Sequence, residues 1–134
     1  MQRQYPYAFQ NKTTGGNVGC GFGVALDKNA VHYNIPVSFS YIDDTNSEEY
    51  YFDEIIAAKL ENDGFLTEMW SKLDAVFDWG DCDFFLPEKC AKFHDWLIER
   101  LSKDTNNDIR LVYEKMLDYS EKAIKYKTGI SFDF

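Results

Sequence analysis

The sequence predicts an α+β domain, an antiparallel β-sheet from the N-terminal half packed against three to four C-terminal helices. Three observations carry this. Apolar residues alternate at period two between Phe22 and Tyr41. From Phe52 onward they repeat at helical spacing. The two patterns are segregated along the chain, which argues against a parallel βαβ repeat. At 134 residues and 45% hydrophobic content, the chain suits one domain, 1–134, with a substantial core. No internal repeat, low-complexity tract or linker divides it.

Each element has its own signal. Tyr5, Tyr7 and Phe9 alternate and offer a short N-terminal strand. Phe22, Val24 and Leu26 alternate with Gly21, Gly23 and Ala25. Val31, Tyr33, Ile35, Val37, Phe39 and Tyr41 then mark one apolar face of a half-buried strand. Asp27-Lys28-Asn29 between these runs is turn chemistry, so a hairpin is expected. Pro36 has no N–H to give a ladder, so the second strand has an edge, a bulge or a break there.

Helices follow. Phe52, Ile55, Ile56 and Leu60 share a helical face that stops at Gly64. Leu66, Met69, Trp70, Leu73 and Phe77 repeat the pattern toward Gly80. Pro87 suits a first helical position, with Cys90, Phe93, Leu97 and Leu101 on the inner face. Asp108 is the expected cap of a last helix, with Ile109, Val112, Met116, Tyr119, Ala123 and Tyr126 inward. Lys122, Lys125 and Lys127 suit the negative end of its dipole, and Gly129 ends it. Ile130, Phe132 and Phe134 alternate and offer a C-terminal strand.

The net charge of −9 is unevenly placed. Residues 43–99 carry sixteen acids and four lysines, while the flanking segments are slightly basic. Six of those acids, Asp43, Asp44, Glu48, Glu49, Asp53 and Glu54, fall in residues 40–54 with no lysine or arginine among them. Such a chain lacks the basic footprint of a nucleic-acid binder. It suits a basic protein partner, or mimicry of a polyanion. The plainer account is a solvated face that keeps the protein soluble. No apolar run reaches the length of a membrane span, so no membrane association is expected. The N-terminal stretch MQRQYPYAFQNKTT has no apolar signal core, and three cysteines form no disulfide framework. A reduced, cytoplasmic protein is the expectation.

Motifs for catalysis and cofactors fail on inspection. GGNVGCGFG has Val24 where a dinucleotide loop needs its third glycine, and a strand follows it instead of a helix. Cys90 and His94 lie four apart on a helix, but Cys82 and Cys90 lack the close paired spacing of structural zinc sites. DWGDCDFFLPE does not fit a calcium-loop register. The two histidines, His32 and His94, sit in no catalytic arrangement. No enzyme, cofactor or metal is therefore expected. A zinc- or cysteine-dependent enzyme would require bound metal or a reactive Cys90 thiol.

What remains is an acidic surface with aromatic anchors. The expected contacts are Asp43, Asp44, Glu48, Glu49, Asp53 and Glu54, then Asp78, Asp81 and Asp83, with Tyr50 and Trp79 as anchors. Tyr50, Trp79 and Phe84 fall off the helical inner faces and are expected to be exposed. In size, acidity, aromatic content and the stretch FLPEKCAKFHDWLIERL, with its Pro-Glu-x-Cys helix start, the chain resembles bacterial toxin-neutralising immunity proteins of the contact-dependent growth inhibition type. That resemblance implies tight binding to a cognate toxin domain, often a basic nuclease, by occluding its active site or a neighbouring surface. It supplies no residue map, so the contacts above rest on charge alone. The alternative is an acidic adaptor, or a nucleic-acid mimic acting on a DNA-binding protein.

Overall fold

The computed structural model describes residues 20–77 and 82–134. In chain order the strands are β1 (Cys20–Ala25), β2 (Val31–His32), β3 (Tyr41–Ile42), β4 (Ser47–Phe52), β5 (Cys82–Phe85) and β6 (Ile130–Asp133). The helices are α1 (Glu54–Asn62), α2 (Phe65–Leu73), α3 (Pro87–Leu101) and α4 (Asn107–Tyr126). Four strands form one antiparallel sheet in the order β4-β1-β6-β5, and β2 pairs with β3 separately. The α+β class is therefore borne out. Two of the four sheet strands, β5 and β6, come from the second half of the chain.

β1 is central because its two faces suit burial on both sides. Cys20, Phe22 and Val24 fill one face, Gly21, Gly23 and Ala25 leave the other flat, and all six residues are buried. The filled face meets the helices. Phe22 contacts Tyr119 of α4 edge-on at 5.4 Å, and Phe85 of β5 contacts Phe93 of α3 at 5.3 Å. Phe65 of α2 stacks on Phe77 at 5.8 Å and approaches Phe134 at 6.0 Å. Each ring pair adds about 0.5–1.5 kcal/mol to the burial of its area. On the other side of the sheet, Ala25, Ala30, Val31, Ile42 and Phe84 form a smaller core under the β2–β3 pair.

Several expectations change. The hairpin between Phe22–Leu26 and the run from Val31 does not form, because β1 pairs with β4 and β6 instead. Asp27 accepts a hydrogen bond from Asn29 N at 2.9 Å, and Lys28–Ala30 turns as a 3₁₀ helix that carries the chain off the sheet. The run 31–41 breaks at Pro36 into β2 and β3, and Tyr33, Ile35, Val37 and Phe39 are exposed rather than inward. Residues 47–52 form a strand that alternation did not reveal, since Glu48, Glu49, Tyr50 and Tyr51 mask the period. Phe52 closes that strand and is not on a helix. Trp70 and Ile55 face solvent, while Phe84 is buried. Phe84 is on a β-strand, so it points opposite to Phe85 and into the smaller core. Asn106, not Asp108, caps α4 by accepting from Asp108 N at 2.8 Å. The run Tyr5, Tyr7, Phe9 lies outside the described residues.

α1 and α2 are joined at Gly64, whose φ of 88° is the left-handed conformation that glycine adopts without strain. The residue before it, Asp63, ties three elements together. Its carboxylate accepts from Arg100 Nε at 3.0 Å, Arg100 Nη2 at 2.7 Å and Tyr113 Oη at 2.7 Å.

Candidate partner-binding surface

Alternation along β4 decides where its acids point. Glu48, Tyr50 and Phe52 lie opposite Val24, Phe22 and Cys20, so they face the helix side. Ser47, Glu49 and Tyr51 face the other side. Glu48 meets Lys122 of α4, with both carboxylate oxygens 2.8 Å from Nζ. Lys122 also pairs with Asp118 one turn earlier at 3.0 Å. The Glu48 hydrogen bond raises the Lys122 ammonium above its usual range. Glu49 accepts from Tyr51 Oη at 2.5 Å. Tyr50 is half-buried, with its ring 5.6 Å from that of Phe22.

The acids at the ends of β4 have local duties. Asp53 caps α1 by accepting from Ile56 N at 3.0 Å. Glu54 follows in the first helical turn and is exposed, where it suits the positive end of the dipole. Asp43 lies 2.6 Å from His32 Nε2 and accepts from Thr45 N at 3.0 Å. Partial burial pushes Asp43 up, but the Thr45 and His32 hydrogen bonds outweigh it and hold the carboxyl below its usual range. Asp44 is exposed beside it. Among the described residues, Asp44 and Glu54 have neither an ion pair nor a side-chain hydrogen bond.

Three buried or half-buried groups sense the negative field of this region. Burial, with Asp133 and Glu54, pushes the Cys20 thiol up to about 12. Burial, with Glu49 and Asp133, raises the Tyr51 phenol, and burial with Glu48, Asp118 and Glu49 raises that of Tyr119. In all three, burial is the largest cause and the nearby carboxylates add to it.

Asp83 does not join them. It lies on β5 at the opposite edge of the sheet, about 14 Å away at three strand spacings, and accepts from Phe84 N at 2.8 Å. Asp78, Trp79 and Asp81 lie outside the described residues. Sequence reasoning missed that Lys122, paired with Asp118, also neutralises Glu48. Their i,i+4 spacing is readable, but the contact with Glu48 depends on packing α4 against the sheet.

Cys90 and His94 occupy unlike settings. Cys90 is fully buried, its thiol donates to Phe85 O at 3.5 Å, and burial pushes it up to about 12. His94 sits at the surface between Asp95 at 3.4 Å and Glu121 at 3.2 Å. Among the described residues, no three His, Cys, Asp or Glu side chains converge as a metal site. Among them, too, no helix is long and apolar enough to cross a membrane. No protein-family profile, curated protein or solved structure matches this chain.

Proposed function

We propose that this is a cytoplasmic, non-enzymatic inhibitor of the immunity-protein type, which binds a basic, nuclease-like toxin domain through the acidic surface around β4. The observation that carries the reading is the run of acids along one sheet edge: Asp43 and Asp44 before β4, Glu48 and Glu49 on it, Asp53 and Glu54 after it. Six strand residues span about 20 Å, so the charges form a strip rather than a point. Such a strip suits steering of a cationic partner and fixing its register. Tyr50 lies within the strip but is half-buried against Phe22, so the strip's reading rests on its charge.

The acids divide by duty. Glu48, Asp43 and Asp53 hold the local fold, and Asp44 and Glu54 are at liberty to meet a partner. The test is capture of the protein encoded by the neighbouring upstream gene, at low and high salt. Specific capture that weakens but survives at high salt supports steered, tight inhibition. Capture of unrelated DNA-binding proteins in competition with DNA would favour a nucleic-acid mimic instead. Absence of capture at both salts would leave the acids as a solvated face.

A further inference from the structure

Residues 33–39, between β2 and β3, present apolar side chains to solvent. Ile35 is 97% exposed, Phe39 57%, Tyr33 50% and Val37 39%. Single exposed apolar residues are ordinary, but four alternating in one loop make a patch. The loop backbone is held. Tyr33 Oη donates to Thr128 O at 3.1 Å, Asn34 N donates to Ser40 Oγ at 2.9 Å, and Asn34 Nδ2 donates to Phe39 O at 2.8 Å. A patch fixed in place beforehand loses less conformational entropy on docking.

Beside the loop lies a cavity of about 370 Å³, lined by Val37, Phe84 and Leu86, with Glu88, Lys89 and Lys92 around it. A second concavity shares Leu86 and Glu88 and adds Tyr33, Pro87 and Lys127. Among the described residues none of these three lysines is ion-paired. Three lysines against one glutamate make this face locally basic on a chain whose net charge is −9.

We propose that this face docks an extended segment of a partner protein that seats one apolar side chain in the cavity and sets carboxylates against Lys89, Lys92 and Lys127. Charge complementarity selects this occupant. An anionic membrane has no side chain to fill the cavity and repels a net-negative protein. A second copy of this chain would bring the acids of β4, which flank the half-buried Tyr50 rather than a projecting apolar anchor. The proposal does not rest on the inhibitor reading, and its partner has the opposite charge.

The test titrates the ¹⁵N-labelled full chain with the capped peptide Glu-Glu-Leu-Phe-Glu-Glu to millimolar concentration, with Lys-Lys-Leu-Phe-Lys-Lys and Ser-Ser-Leu-Phe-Ser-Ser as controls. Amide shifts should concentrate in residues 33–39 and 86–92, and the acidic peptide should bind at least tenfold more tightly than the lysine peptide. Ile35→Asp should weaken binding about tenfold, in the range of a lost apolar anchor. The double variant Lys89→Glu/Lys92→Glu should do the same, with both variants keeping the wild-type urea midpoint. Absence of loop shifts, or equal binding of all three peptides, overturns the proposal. So does Ile35-dependent self-association in sedimentation, which would name a second copy. Ile35-dependent binding to phosphatidylcholine–phosphatidylserine vesicles would name a lipid surface, and likewise overturns it.

Discussion

Replacing Asp63 with Asn should be among the more damaging polar substitutions in this protein. The carboxylate joins the α1–α2 turn to Arg100 near the end of α3 and to Tyr113 of α4. The side chains of Arg100 and Asp63 are only 16% and 19% exposed, so water replaces the lost bonds poorly. Removing one partner of a buried pair costs about 3–5 kcal/mol. Residual exposure and the amide's remaining hydrogen bonds lower this to about 2–3 kcal/mol. With a urea slope on the order of 1.5 kcal/mol/M, the midpoint should fall by about 1.3–2 M. pH supplies a second reading. Burial pushes Asp63 up, but the Arg100 and Tyr113 hydrogen bonds outweigh it, and the carboxyl sits below its usual range. A depressed folded-state value means the stabilisation is present above the unfolded value near pH 4 and is lost as pH falls through the folded value. Wild-type stability should therefore decline below about pH 4 more steeply than that of Asp63→Asn. Urea melts of the two proteins at neutral and acid pH make the comparison. A neutral-pH difference under about 0.5 kcal/mol, typical of a surface change, would refute the network's role.

Other substitutions test other parts of the fold. Gly129→Ala should destabilise by about 3 kcal/mol in a thermal or urea melt, because its φ is 146° and an added Cβ would lie 2.5 Å from Phe84 Cζ and 2.6 Å from Phe85 O. Asp53→Ala should cost about 1 kcal/mol as a lost helix cap, while Asp44→Ala should be neutral in the same melt. The thiols of Cys20 and Cys90, both pushed up to about 12, should resist a disulfide reagent until the protein unfolds. Rapid native labelling of Cys90 would contradict its burial. Lys122→Ala should change stability by under about 1 kcal/mol. It should also quicken association with a basic partner, since it bares Glu48 and Asp118.

The helical half of the fold was legible because its signal is periodic and local. Cys90, Phe93 and Leu97 of α3, and Ile109 through Ala123 of α4, are buried as their spacing requires. The C-terminal alternation of Ile130 and Phe132 is a strand for the same reason. The strand half was less legible, since pairing is non-local. The sequence around Asp27–Asn29 has the residues of a hairpin turn, yet β1 finds its partners more than twenty and more than a hundred residues away. In β4 the helix-side position Glu48 is tolerated because Lys122 neutralises it, which no local pattern reveals. Tyr33 to Phe39 alternate as a strand would, but Pro36 and the Asn34–Ser40 contacts hold them as a loop. The acids of residues 43–54 were readable as a cluster. Their division into acids bonded within the fold, such as Glu48, Asp43 and Asp53, and exposed acids such as Asp44 depends on packing that no local pattern carries.

The variant Asp44→Lys tests the central claim most directly, since Asp44 is exposed and makes no ion pair or side-chain hydrogen bond among the described residues. The measurement is the stopped-flow association rate with the protein encoded by the upstream gene, across a range of ionic strength. The account predicts a rate about tenfold lower than wild type at low salt, with the two converging as salt screens the field. Indistinguishable rates at low salt, from a variant with an unchanged urea midpoint, would contradict recognition through the acidic strip.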